Sequence, residues 1–205
     1  KILLMLYEKL CVLAGAVPFC TWIGGAPEIW QCVVYYVLLF GGIQIALFLK
    51  EKGAYRVWRV LSRGICVAVV CVSIFILGFR QKNLISITCL DIGQGDGIVI
   101  QLPGGKTVMV DGGSSSKKKV ASYQILPYLK NQGISVVDAM LISHTDLDHI
   151  SGVQELLTLK EKHLTTLRIK NLLLPDWKAP EEVYYELEEQ AKRCGISVLL
   201  SLIHI

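Results

Sequence analysis

Ser143-His144-Thr145-Asp146-Leu147-Asp148-His149-Ile150-Ser151-Gly152 decides how this chain is read. Four potential metal ligands, His144, Asp146, Asp148 and His149, fall within six residues, directly after the apolar run Ala139-Met140-Leu141-Ile142. That order predicts a strand running into a ligand-dense loop, then a helix from Ile150 with Val153, Leu156 and Leu157 on its apolar face. Imidazole and carboxylate together suit divalent zinc, manganese or iron, and a mixed nitrogen and oxygen set leaves coordination positions for water and substrate. A plain helix cap is the competing reading, with Asp148 or Ser151 as the capping residue. A cap needs one such residue and leaves unexplained two histidines five positions apart with two carboxylates between them.

Around this stretch, from residue 83 onward, the sequence changes to short apolar runs bounded by glycine. Residues 84–90, 97–102 and 106–110 read as strands, joined by hairpin turns at Gly93-Gln94-Gly95-Asp96 and Pro103-Gly104-Gly105. Gly112-Gly113-Ser114-Ser115-Ser116 followed by Lys117-Lys118-Lys119 reads as a flexible basic loop. A helix is expected over 121–131, although Pro127 inside it opposes an unbroken run. Residues 136–143 are the strand before the ligands and 167–174 another. Pro180-Glu181-Glu182 opens a helix with Val183, Leu187, Ala191 and Cys194 on its apolar face, ending at Gly195. Hairpins first, then strands alternating with helices, indicate a layered α/β domain.

The first part of the chain is different. A mean hydropathy of +0.50 is too apolar for a purely soluble protein of this length. Residues 32–49 carry no charge and are interrupted only by Gln44 and the pair Gly41-Gly42, about the length a bilayer span requires. A second uncharged run, 64–79, extends back over Val60-Leu61-Ser62, with Arg63 and Arg80 placed to snorkel. Residues 2–20 include Glu8 and Lys9 and read as an interfacial or partly buried helix. Up to Arg80 there are eight basic and three acidic residues, against thirteen and fourteen after it, so the positive balance belongs to the apolar half and is no nucleic-acid signature. Lys50, Lys52, Arg56, Arg59 and Arg63 face one Glu51 in the linker between the spans. The positive-inside rule puts that linker in the cytoplasm and everything after Arg80 on the outer side.

The seven cysteines lack a disulfide or zinc-ribbon pattern. Cys11, Cys20, Cys32, Cys66 and Cys71 lie in apolar segments and read as small hydrophobes, and neither Cys89 nor Cys194 has CxxC spacing. A Walker loop, a dinucleotide fingerprint and a G-x-S-x-G element are all absent from the sequence, which argues against ATPase, Rossmann and serine-hydrolase functions.

Three segments taken together, Leu90-Asp91-Ile92-Gly93-Gln94-Gly95-Asp96, Val110-Asp111-Gly112-Gly113 and residues 143–149, resemble the metallo-β-lactamase-fold domain of ComEC-type DNA-internalisation competence proteins. The resemblance covers 84 to about 199, and the preceding spans are similar to the end of that family's membrane competence region. It implies a membrane α-helical segment followed by an α/β domain, an incomplete metallo-β-lactamase-like αββα sandwich. Residues 1–82 would be the membrane region and 83–199 the truncated domain. Residues 200–205, Leu-Ser-Leu-Ile-His-Ile, match the translation of a common transposon-end sequencing adapter and are set apart as non-native, so His204 is not recruited as a ligand.

By the same resemblance the protein is a multi-pass component of the bacterial cytoplasmic membrane. Its partners would be DNA, the lipid bilayer and other DNA-uptake proteins, and its extracytoplasmic domain would degrade the strand that is not taken up. His144 and Asp146 would serve one divalent ion and Asp148 and His149 a second, manganese or zinc, with Asp148 acting on water. The wider superfamily reads His-x-His-x-Asp-His, and Asp146 here replaces the second histidine, as is usual in the competence branch. A carboxylate there adds a hard oxygen donor and shifts preference toward manganese or magnesium. Further ligands are expected downstream, leaving the present stretch catalytically incomplete. A membrane-tethered hydrolase of small substrates, or a metal-free scaffold copy, is the alternative.

The remaining candidates are open between two readings. Asp111 is either a buttress behind the ligand loop, as the resemblance implies, or a turn-forming Asp-Gly. Asp91 and Asp96 flank a turn, and only the resemblance draws Asp96 and Gln94 toward the site. Lys117, Lys118 and Lys119 either grip DNA phosphates or are merely solvated, and His163 is read as exposed.

Overall fold

The structure is a computed structural model and describes residues 2–16, 22–51, 55–80, 84–176 and 182–201. Lys52, Pro180, Glu181 and residues 202–205, with His204, lie outside the described residues. The chain divides into two units, Gly24–Gln81 and Lys1–Ile23 with Lys82–Ile205.

The first unit is a helical hairpin. Helix α2 (Ile29–Glu51) and helix α3 (Tyr55–Gly78) contain apolar stretches of 20 and 19 residues, Ile29–Phe48 and Val60–Gly78, long enough to cross a bilayer. Only 6% of either stretch is buried, the reverse of a soluble core helix, so Val37, Phe40, Val67, Val70 and Phe75 face outward. The two helices run antiparallel. Gly42, one of the pair that interrupts the first span, is where they approach: a Cβ there would stand 3.2 Å from Val69 Cγ2, the small-residue contact expected of packed membrane helices. At the other end, buried Gln31 donates from Nε2 to the carbonyls of Ile76 (2.5 Å) and Phe79 (2.9 Å). Arg80 donates to Gln31 Oε1 (3.0 Å) and to Ala26 O (2.7 Å). The carbonyls of Ile76 and Phe79, at and just past the end of α3, thereby gain side-chain donors.

In the second unit, helix α1 (Ile2–Ala16) exposes every side chain described, including Leu3, Leu6, Tyr7 and Leu10, so the partly buried reading does not hold for those residues. The rest is one six-stranded sheet in the order β1-β2-β3-β4-β5-β6: Ser86–Cys89, Gly97–Leu102, Lys106–Asp111, Val136–Leu141, Arg168–Pro175 and Ser197–Ser201. The first three strands are antiparallel neighbours. The last three join in parallel, each preceded by helix: an Ala121–Ile125 π turn with α4 (Leu126–Asn131), then α5 (Leu147–Glu161), then α6 (Glu182–Arg193). Antiparallel neighbours need only hairpins, whereas parallel ones require crossovers.

Strand alternation gives the sheet two faces. Val99, Met109, Met140 and Leu172 align across β2 to β5 and are buried, in one core with Ile125 and Leu129, Val153 and Leu156 of α5, and Leu187 and Ala191 of α6. On the opposite face Ile98, Val110, Leu141 and Leu173 align in a half-buried apolar row flanked by exposed Leu199. An αββα sandwich packs its second sheet on such a face.

The structure refines four expectations. The helix over 121–131 forms, but its first part is wound as a wider π turn that runs into α4, where Pro127, lacking an N–H, stands in the first turn; Glu155 of α5 accepts the Ala121 N–H (2.9 Å) and the Ser122 hydroxyl (2.5 Å) at its start. Helix α5 begins at Leu147, three residues before Ile150. The buried face of α6 uses Tyr184 as well as Leu187 and Ala191, with Val183 and Cys194 only half-buried. Leu200 and Ser201, set apart as tail, end β6, opposite Leu174 and Pro175.

Candidate metal centre

Parallel strands β3 and β4 end side by side, with Val110 opposite Leu141, and the chain leaves both at the same edge. Ligand sites in α/β sheets gather at such carboxyl ends. Asp111 closes β3, Ser143 and His144 follow β4, and α5 starts immediately after, so three elements deliver polar side chains to one place. The N-terminus of α5 lies at the same edge, and a helix N-terminus favours anionic groups.

Asp146 occupies the N-cap position of α5, yet its side chain makes no capping bond, and neither Asp148 nor Ser151 caps the helix. Capping therefore does not explain the cluster. Asp148 and His149 sit in the first helical turn rather than in a loop, with the His149 and Ile150 N–H groups bonded to Asp146 O at 2.9 and 3.1 Å.

His144, Asp148 and His149 bring one potential ligand atom each to within 4.8 Å of one another. The two imidazole rings are stacked at a 46° tilt, with centroids 3.5 Å apart. His144 Nε2 lies 3.6 Å from Asp146 Oδ2, and His149 Nε2 lies 3.8 Å from Asp148 Oδ2 and 3.6 Å from Asp96 Oδ2. Three carboxylates and two imidazoles thus meet at one mouth. His149 is buried, whereas the Asp146 and Asp96 carboxylates are mostly exposed. Hard oxygen and imidazole nitrogen donors in this mixture fit a divalent first-row ion or magnesium.

Asp111 is buried behind the cluster. It accepts the Ser143 N–H at Oδ1 (2.8 Å), the Ser143 hydroxyl at Oδ2 (2.6 Å) and His149 Nδ1 at Oδ2 (3.0 Å). A turn-forming aspartate would face solvent. This one holds the site from behind, with φ of +54°, a conformation asparagine and aspartate tolerate better than most residues. Ser143, which sequence reasoning passed over, touches Asp111 and both histidines. Its position directly before His144 was the available signal.

The loop over 90–96 reaches the site through its backbone. Asp96 N–H donates to Asp148 O (3.1 Å), and Gly113 N–H donates to Asp96 O (3.3 Å). Gly95, at φ +154°, has no room for a Cβ, which would stand 2.2 Å from Gly113 O and 2.4 Å from Asp148 O. Asp96 therefore joins the cluster. Gln94 stands exposed and bonds through its backbone to Ser115 and Ser116.

The serine-lysine loop is not flexible in the way its composition suggests. Ser114 is buried, its N–H on Ser151 Oγ (2.8 Å), and its own hydroxyl accepts the Ser116 and Lys117 N–H groups. Lys117 Nζ is bound to Asp91 O and Oδ1 at 2.8 and 2.9 Å, and this ammonium holds the Asp91 carboxyl below the usual carboxylate range. Lys118 and Lys119 stay exposed, as does His163.

Residues 90–187 match the family model described as the metallo-beta-lactamase superfamily. Recombination protein 2 of Haemophilus influenzae is 33% identical over 100 residues, covering 48% of this chain and 12% of that protein. ComE operon protein 3 of Bacillus subtilis is 26% identical over 156 residues, covering 68% and 19%. A crystal structure of a diphosphatase from the PhnP family covers 53% of this chain and 37% of its own, at 21% identity and a TM-score of 0.31. The chain thus spans under a fifth of the length of these curated relatives. The ligand cluster, the sheet, the family model and the two curated relatives agree: residues 90–187 match the metallo-beta-lactamase superfamily, and the chain is similar to proteins of the ComEC type.

Proposed function

We propose that this chain is part of a membrane protein of natural transformation that passes one DNA strand into the cell, and that its metallo-beta-lactamase domain is a metal-dependent phosphodiesterase degrading the other strand. The observation that carries the reading is the convergence of His144, Asp148 and His149, backed by buried Asp111, in a chain that also carries two helices apolar enough to cross a membrane. In this reading 1–82 is the end of the membrane region, 83–199 the domain, and 200–205 a non-native tail.

His144 and Asp146 would hold one divalent ion, and Asp148 and His149 a second, either manganese or zinc. Such ions would supply polarisation of a phosphate oxygen and acidification of a water. Asp148 is assigned to act on that water. Asp111 keeps His149 Nδ1 protonated, so that Nε2 faces the ligand side. Lys118 and Lys119, exposed beside the pinned loop, contact phosphates without reading sequence, while Lys117 contributes less because Asp91 already binds it. Duplex DNA supplied to the full-length protein with manganese should lose one strand, and intact duplex at every metal tested would contradict the reading.

Asp146 sets the metal preference. Asp146→His exchanges an anionic oxygen for a neutral nitrogen, which favours zinc over harder ions. The expected result is a higher zinc-to-manganese affinity ratio and lower manganese-supported activity in the full-length protein. An unaltered ratio in competitive titration would mean that Asp146 does not touch the metal.

The proposed membrane orientation, residues 50–63 in the cytoplasm and 84 onward outside, is supported by Lys50, Lys52, Arg56 and Arg59 between the two apolar stretches and Arg63 near the start of the second. In a cysteine-depleted background, an impermeant thiol reagent should label Ser116→Cys and spare Arg56→Cys; the opposite pattern would reverse the assignment.

A further inference from the structure

Ser143 has one hydroxyl proton and three polar neighbours: Asp111 Oδ2 at 2.6 Å, His144 Nδ1 at 2.9 Å and His149 Nδ1 at 3.4 Å. A carboxylate only accepts, so the 2.6 Å contact requires the serine proton to lie between Ser143 and Asp111. The serine oxygen then meets His144 Nδ1 with lone pairs alone, and a hydrogen bond at 2.9 Å exists only if His144 is the donor. A neutral imidazole protonated at Nδ1 has its lone pair at Nε2. That Nε2 is the atom 3.6 Å from Asp146.

We propose that Ser143 is a positioning residue that fixes the tautomer of His144, so that one buried carboxylate, Asp111, sets both imidazoles, His149 directly and His144 through the Ser143 hydroxyl. Both rings then present unprotonated Nε2 atoms on the side where Asp146, Asp96 and Asp148 stand. The relay is built into the backbone: the Ser143 N–H is held on Asp111 Oδ1 at 2.8 Å, and parallel pairing of β3 with β4 brings the two residues side by side. Its use rests on the metal reading above, but the tautomers themselves require no ion. The coupling also explains why a serine stands there, since alanine would keep the backbone bond and lose the link to His144.

The test uses the full chain in detergent, labelled with 15N-histidine, stripped with chelator and held in mildly alkaline buffer where imidazole is neutral. Only four histidines are present, so long-range nitrogen-proton correlations can be assigned by single substitutions. The unaltered chain should show Nδ1 protonation at both His144 and His149. Ser143→Ala should move His144 to the Nε2-protonated form while leaving His149 unchanged, and Ser143→Thr should restore the original pattern. In zinc titrations of the same proteins, Ser143→Ala should weaken binding by about 10- to 100-fold, with threonine recovering it. Nε2 protonation of His144 in the unaltered chain, or a His144 tautomer indifferent to Ser143→Ala, would overturn the relay. Expected tautomers in a chain that takes up no zinc would uphold the relay and refute the metal reading.

Discussion

His144→Ala and Asp148→Ala, introduced singly into the full-length protein, should each abolish the proposed metal-dependent DNA hydrolysis, lowering the rate by about a hundredfold or more, while the domain stays folded. Loss even of a partner behind a metal ligand typically costs 10–100-fold, and loss of a ligand removes the group that holds the ion itself. The fold survives because neither side chain fills the core. Both are half-exposed at the mouth, whereas the sheet is held by Val99, Met109, Met140 and Leu172 beneath the helices. The backbone bonds at the start of α5, from His149 and Ile150 N–H to Asp146 O, involve neither side chain. Activity is read from degradation of duplex DNA and folding from circular dichroism. Unchanged hydrolysis in both variants would remove the site from the chemistry.

Gly113→Ala gives the largest expected loss of stability. A Cβ there would stand 2.5 Å from each of three backbone atoms in the first turn of α5, Leu147 O, His149 C and Ile150 N. Backbone cannot step aside as a flexible side chain can. The neighbouring bonds from Gly112 N to His149 O and from Ser114 N to Ser151 Oγ hold the two segments at that distance. The expected cost is about 3 kcal/mol or more. Gly104→Ala is the control for backbone strain: unlike Gly113 it has positive φ, at +80°, but its Cβ meets nothing within 4 Å, so the cost stays at about 1 kcal/mol. Hydrogen-exchange protection of β3 and α5 separates the two, and equal losses would show that the close approach at Gly113 costs no more than the strain at Gly104.

Elements with strict periodicity were legible in the sequence. Residues 97–102 alternate between the two faces of the sheet and form β2 with those limits, and both long apolar stretches are helices. The start of α5 was not legible, because its first turn carries Asp148 and His149 where a helix chosen for packing alone would begin its apolar pattern. Such conflicts between local pattern and structure are expected at functional sites. Four candidate ligands could be read from their spacing, and three of them, His144, Asp148 and His149, come within 4.8 Å of one another. Asp96 could not be placed from the residues alone, since it reaches His149 only because Gly95 lets the 90–96 loop press against Gly113 and α5. The loop after β3 was misread as flexible for a similar reason: composition records three serines and three lysines, but not that the Ser116 hydroxyl, the Ser114 backbone N–H and the Lys117 ammonium bond across to Gln94, Ser151 and Asp91. Ser143 escaped notice because its role lies in a single proton shared among groups far apart in sequence.

Metal content tests the central claim most directly. Full-length protein purified in the presence of manganese or zinc and then dialysed should retain about two divalent ions per chain. The His144→Ala/Asp148→Ala double variant should retain none in this domain while keeping the circular dichroism of the unaltered protein. Equal metal content in the two folded proteins would contradict the account, because the ions would then be held somewhere other than at the mouth formed by β3, β4 and the first turn of α5.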